Sequence, residues 1–114
     1  MDAQLQYISV NDLAQRLAED PTTIQLVDVR EPEELAIAQL PHFINLPLSR
    51  FADWSGQIQQ ALDSQAETWV MCHHGVRSAQ MCQWLASQGF ENVRNISGGI
   101  DAYAVAVDHS IPRY

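Results

Sequence analysis

Short apolar runs alternate along the chain with stretches in which apolar residues recur every three or four positions. The runs predict buried strands and the recurrent stretches predict amphipathic helices. Tyr7-Ile8 reads as a brief opening strand. Ser9 then caps a helix, with Asp12 three residues on in a box-like arrangement. Leu13, Leu17 and nearby alanines give that helix one apolar face, and Asp20-Pro21 ends it. Ile24 to Val29 is mostly apolar and β-branched, a second strand closed by Asp28-Val29-Arg30. Glu31 to Ala38 predicts a short acidic helix with Pro32 in its first turn. Phe43 to Leu46 is a short strand bracketed by Pro41 and Pro47, and Ser49 to Leu62 holds one or two helical pieces broken near Gly56. Thr68 to Cys72 predicts a buried strand. Ser78 to Ser87 predicts a helix with Met81, Cys82, Trp84 and Leu85 on its inward face, ended by Gly89 as a left-handed cap. Val93 to Ile96 is the last strand, Gly98-Gly99 opens a final short helix, and the tail runs to Tyr114.

Apolar strands alternating with helices imply an α/β fold, a mostly parallel sheet covered on both faces. Ligands of such sheets bind beyond the carboxyl ends of strands. Two of those ends carry reactive side chains, Asp28-Val29-Arg30 and Cys72 through Ser78. No repeat, linker or low-complexity tract divides the sequence, so residues 1–114 are expected to form one domain. With 46% apolar and 18% charged residues, it has the means to bury a core without disulfides or metals.

Fourteen acidic against six basic residues give a net charge of -8, and all six basic residues are Arg. That balance argues against nucleic acid or an anionic membrane as partner. Any anion site must then be a local exception, built by backbone N–H groups and a few Arg. No apolar run approaches the length of a membrane span. Asp2, Asp12 and Arg16 interrupt the first apolar pattern, unlike a secretory signal. The cytoplasm, with reduced thiols, is the expected compartment, and a monomer the default state. Cys72 and Cys82, ten residues apart, do not make a disulfide framework.

The richest chemistry lies in Cys72-His73-His74-Gly75-Val76-Arg77-Ser78. A buried strand ends at a Cys, a short loop follows, and a helix begins. Gly75 allows the loop to curl so that its N–H groups face the sulfur. The positive helix end and Arg77 add to the same field. The thiolate is the reactive form, and a free Cys has a pKa of about 8.5. Lowering it by about two units takes about 2.7 kcal/mol of preferential thiolate stabilisation, which several N–H groups and a helix end can supply. A lone Cys at a strand end is more often a buried core thiol. The Gly, the Arg and the helix start in this spacing tip the balance toward catalysis.

This loop resembles the active-site loop of the rhodanese family. Leu26-Val27-Asp28-Val29-Arg30-Glu31-Pro32-Glu33-Glu34 resembles that family's strand-to-helix signature, and Ile96-Ser97-Gly98-Gly99-Ile100-Asp101-Ala102-Tyr103 its C-terminal glycine motif. The three come in family order and cover nearly the whole chain. Many members carry His-Ile-Pro-Gly-Ala after the acidic helix, where this chain has Gln39-Leu40-Pro41-His42-Phe43; an aromatic often follows the Gly pair, where this chain has Ile100. The phosphatase relatives of the fold place one more residue between Cys and Arg than the four found here. A phosphatase also benefits from an acid for its leaving group, and this loop has none.

The resemblance implies a three-layer fold around a five-stranded sheet, and transfer of sulfane sulfur through a Cys72 persulfide. Thiosulfate or a related small anion would donate, and a thiol, cyanide or a protein would accept. His73, His74, Gly75, Val76, Arg77 and Ser78 would bind the sulfur and its donor, with Arg77 orienting the donor's oxygens. No metal or organic cofactor is implied. Asp28 and Arg30 match the signature and are expected to support the site structurally, Asp28 through backbone donors near the loop and Arg30 through an acid such as Glu34. Glu31, Glu33 and Glu34 read as a solvated face, Cys82 as a core residue, and the three Trp as core or pocket walls. Two competing readings are a non-catalytic module of the same fold that binds a partner or carries sulfur, and phosphatase or arsenate reductase chemistry in the same cradle.

Overall fold

A computed structural model describes residues 5–114. Its sheet has five strands, β1 (Gln6–Ile8), β2 (Gln25–Asp28), β3 (Ile44–Asn45), β4 (Thr68–Met71) and β5 (Val93–Ile96), in the spatial order β1-β5-β4-β2-β3. Every pairing is parallel. The helices are α1 (Val10–Glu19), α2 (Pro32–Ile37), α3 (Phe51–Trp54), α4 (Ile58–Ala61), α5 (Val76–Ser87) and α6 (Gly99–Ala106).

The period-two alternation of strand side chains divides the core into two layers. Leu26, Trp69, Met71 and Ile96 face Val10 and Leu13 of α1 and Ile100 and Tyr103 of α6. Val27, Val70 and Cys72 face Ile58 of α4 and Met81, Cys82 and Leu85 of α5. The central strand β4 is buried along its whole length, as parallel strands covered on both faces must be.

The predicted elements are present, with boundaries that differ where local chemistry intervenes. Ser9 does cap α1, accepting the Asp12 N–H at 3.0 Å. The stretch 49–62 breaks as expected, with a 3₁₀ turn at Ser55–Gln57 between α3 and α4. Strand β4 stops at Met71, so Cys72 has already left the sheet. Helix α5 begins at Val76, two residues earlier than the sequence predicts, because Gly75 caps it at a φ of +106°. Ser78 has cap-forming chemistry but lies inside the first turn, and its hydroxyl is used elsewhere.

Candidate active site

The segment between β4 and α5 is turned by Gly75 so that its amides point back at the residue leaving the strand. Gly75 N lies 3.0 Å from Cys72 Sγ, and Ser78 Oγ lies 3.2 Å from it. Cys72 is only 1% exposed, so the sulfur sits at the base of the loop. The first four N–H groups of a helix have no carbonyl of their own helix to bond. Here these are Gly75, Val76, Arg77 and Ser78, and Gly75 already gives its proton to the sulfur. The resting sulfur thus has one amide donor and one hydroxyl oxygen within reach, fewer donors than the sequence suggests for residues 73–78.

The loop carbonyls are turned the other way. Ile100 N bonds Cys72 O at 3.0 Å and Asp101 N bonds His73 O at 3.1 Å, so the first turn of α6 holds both. Gly99 makes this approach possible. A Cβ there would meet His73 O at 2.5 Å and would collide with Cys72 O. With its carbonyls anchored outward, the loop presents donors inward, the polarity that an anionic sulfur needs.

Arg77 does not point a free guanidinium into the loop. It forms a bidentate pair with Glu34 of α2, at 2.7 and 2.9 Å. The Arg77 bond and charge hold the Glu34 carboxyl at a pKa of about 2, against the cost of burial. The same bond raises the Arg77 pKa, against the cost of burial. Glu34 is therefore an ion-pair partner and not merely a solvated acid, a correction to the sequence reading. Tyr114 Oη adds a further bond to Glu34 at 3.0 Å.

Asp28 and Arg30 pair with each other. Arg30 is fully buried, with Nη2 at 2.7 Å and Nε at 3.0 Å from the Asp28 carboxylate. Asp28 also accepts the Arg30 backbone N–H at 3.0 Å. The expected Arg30–Glu34 charge pair is replaced by this one, and the backbone donor that Asp28 meets belongs to Arg30, not to the Cys loop. Burial works against the Arg30 charge, but the bonds to Asp28 and Tyr114 outweigh it and raise its pKa. Arg30 reaches Tyr114 Oη at 2.9 Å.

His73 stacks on the Tyr114 ring at 3.8 Å and 5°, and on His74 at 3.9 Å. Its Nε2 is buried without a partner, and burial followed by the His74 charge lowers its pKa. His74 is exposed, with Nδ1 3.8 Å from Asp101. Val76, 69% exposed, stands at the start of α5. Cys82 is buried among the core side chains of α5, and burial pushes its thiol up to about 12. Trp69 is core, while Trp54 and Trp84 form a half-buried edge-to-face group with Phe51. Asn95 and Tyr114 are polar neighbours of the site that the sequence did not single out, and Glu34 was expected beside Arg30, not Arg77. Each lies far along the chain from the residue it serves, and no local spacing signals it.

The Rhodanese-like domain family matches residues 9–106. The chain is 46% identical over 110 residues to the Rhodanese-like/PpiC domain-containing protein 12, chloroplastic, of Arabidopsis thaliana, covering 94% of this chain and 36% of that protein. It thus spans about a third of that relative's length. It is 35% identical to a protein named Sulfurtransferase from Allochromatium vinosum, over 92% of this chain and 91% of the relative. The solved structure of the human single-domain sulfurtransferase TSTD1 superposes with a TM-score of 0.75 at 24% identity, covering 90% of this chain and 98% of that one, a likeness of fold. With its parallel five-stranded sheet and its Cys loop between β4 and α5, the chain belongs to the Rhodanese-like domain family.

Proposed function

We propose that this protein moves sulfane sulfur from thiosulfate, or a related small anionic donor, to a thiol or to cyanide through a persulfide on Cys72. One observation carries this reading: the Gly75 N–H and the Ser78 hydroxyl converge on Cys72 Sγ at the start of α5. In the first step the Cys72 thiolate attacks the donor's outer sulfur. The donor's S–S bond breaks, and sulfite leaves with the bonding pair. In the second step an acceptor thiolate attacks the outer sulfur of the persulfide, and Cys72 leaves as thiolate. The scheme is ping-pong.

The outer persulfide sulfur projects beyond Sγ toward the N–H groups of Val76, Arg77 and Ser78, which their own helix leaves unbonded. Arg77 meets a donor's oxygens by trading Glu34 for them, since its planar fork fits both. His73 and His74 line the mouth. A monomer is the proposed working unit. The proposed setting is the cytoplasm, where thiols stay reduced. A protein thiol is an admissible acceptor, while the charge of -8 disfavours nucleic acid and anionic membranes.

The test is thiosulfate-dependent sulfur transfer by wild type and Cys72→Ser, with mass spectrometry of Cys72. Wild type is expected to gain one sulfur atom on Cys72 and pass it to an acceptor, and the variant to fall to background. Transfer retained by the variant would overturn the reading.

A further inference from the structure

Behind the sulfur lies a second polar residue that neither the loop motif nor the proposed chemistry uses. Asn95, on β5, is 2% exposed. Its Nδ2 donates to Gly75 O at 2.9 Å, and its Oδ1 lies 2.5 Å from Ser78 Oγ. The Gly75 carbonyl can only accept, so the amide nitrogen must face it and Oδ1 must face Ser78. Oδ1 in turn can only accept, so the Ser78 hydroxyl donates to it. A hydroxyl has one proton. Given to Asn95, it leaves Ser78 with a lone pair toward Cys72 Sγ at 3.2 Å. A lone pair suits a thiol, which can donate, and opposes a thiolate, which can only accept.

We propose that Asn95 is a positioning residue that sets the direction of the Ser78 hydroxyl, and through it whether Cys72 rests as thiol or thiolate. When Cys72 ionises, the hydroxyl swings from Asn95 to the sulfur. When the persulfide forms, the charge moves to the outer sulfur, and the hydroxyl returns to Asn95. Asn95 therefore competes with the thiolate for one proton. Its second bond, to Gly75 O, keeps the Gly75 amide aimed at the sulfur in both states.

The ionisable groups about Cys72 come from several elements. His73 and His74 lie in the loop, Arg77 and Cys82 on α5, Asp101 on α6, and Glu34 on α2 behind Arg77. Asp28 and Arg30, at the end of β2, are paired with each other. Among the described residues none of these side chains hydrogen-bonds Ser78 or Asn95, so the exchange between Asn95 and the sulfur is separable from their charges.

The inference rests on Cys72 as the nucleophile, but its test does not need sulfur transfer. The readout is the pH at which iodoacetamide alkylation of Cys72 is half-maximal, followed by mass spectrometry at that residue. Asn95→Leu keeps the shape and removes the acceptor of Ser78 together with the donor to Gly75 O. It is expected to move the midpoint down by about one pH unit, a tenfold gain in thiolate at fixed pH. Ser78→Ala removes the donor and is expected to move it up. In the Ser78→Ala background, Asn95→Leu is expected to lower the midpoint no longer, since no hydroxyl is left to release. A midpoint that does not fall in Asn95→Leu overturns the proposal, as does an equal fall with and without Ser78, the signature of a merely structural residue. Should Asn95→Leu not fold, Asn95→Asp supplies a stronger acceptor. Its midpoint should rise more with Ser78 present than absent, and an equal rise overturns the proposal. If alkylation behaves as expected while Cys72→Ser still transfers sulfur, the functional reading fails and this inference stands.

Discussion

His42 holds a φ of +73°, the only non-glycine residue among those described with a positive φ. In the left-handed region the Cβ crowds the backbone at a cost of about 1–2 kcal/mol, which a glycine avoids. The family pattern has Gly at this place, so the fold keeps the turn after Pro41 even where the residue that favours it is absent. His42→Gly is expected to stabilise the protein by about 0.5 kcal/mol. The gain is smaller than the strain relieved because glycine also enlarges the entropy of the unfolded chain. Chemical denaturation of the two proteins measures it, and a destabilised variant would show that the side chain contributes more than its backbone costs.

At the level of elements, the decisive contact is between the first turn of α6 and the loop that follows β4. Ile100 N and Asp101 N take the carbonyls of Cys72 and His73, and Gly99 lets the two backbones touch. Gly99→Ala is expected to cost more than about 3 kcal/mol. A methyl group there meets backbone atoms, which cannot swing aside as a side chain can, and the φ of +61° adds strain. Thermal unfolding is the direct measurement; a variant that melts with wild type would mean that α6 and the loop move apart freely. This contact also shows what a sequence can and cannot display. The alternation of apolar strands and helices, the Ser9 cap and the glycine pair are local patterns, and they placed the parallel sheet and the loop. The start of α5 was misplaced because Ser78 has the chemistry of a cap, while the structure gives that role to Gly75 and spends the Ser78 hydroxyl on Cys72 and Asn95. The partner in that exchange lies 17 residues away on strand β5, and no periodicity encodes such a meeting.

Across the whole molecule, one chain of polar contacts ties the end of β2, helix α2, helix α5 and the tail together. It runs from Asp28 to Arg30, to Tyr114, to Glu34 and to Arg77. Arg77 and Glu34 are 43 residues apart and Arg30 and Tyr114 are 84 apart, so the network exists only in the folded state. The folded carboxyl of Glu34 titrates at about 2, below its ordinary value of 4.5, chiefly because Arg77 bonds it. The folded state therefore binds that proton less readily than the unfolded chain does. The stabilisation is complete above about pH 4.5 and is lost as pH falls toward about 2. Glu34→Gln keeps the shape of the side chain and removes the charge. At neutral pH it is expected to cost about 1 kcal/mol, the scale of a partly exposed pair. As pH falls the wild type is expected to lose this advantage, so the urea midpoints of the two proteins converge between about pH 4.5 and about pH 2. Asp20, Asp101 and Asp108 are also held below their ordinary values, so both curves fall in acid; the convergence, not the fall, is the signature of Glu34. Parallel curves would mean that the Arg77–Glu34 pair couples too weakly to folding to bind the site to the rest of the molecule.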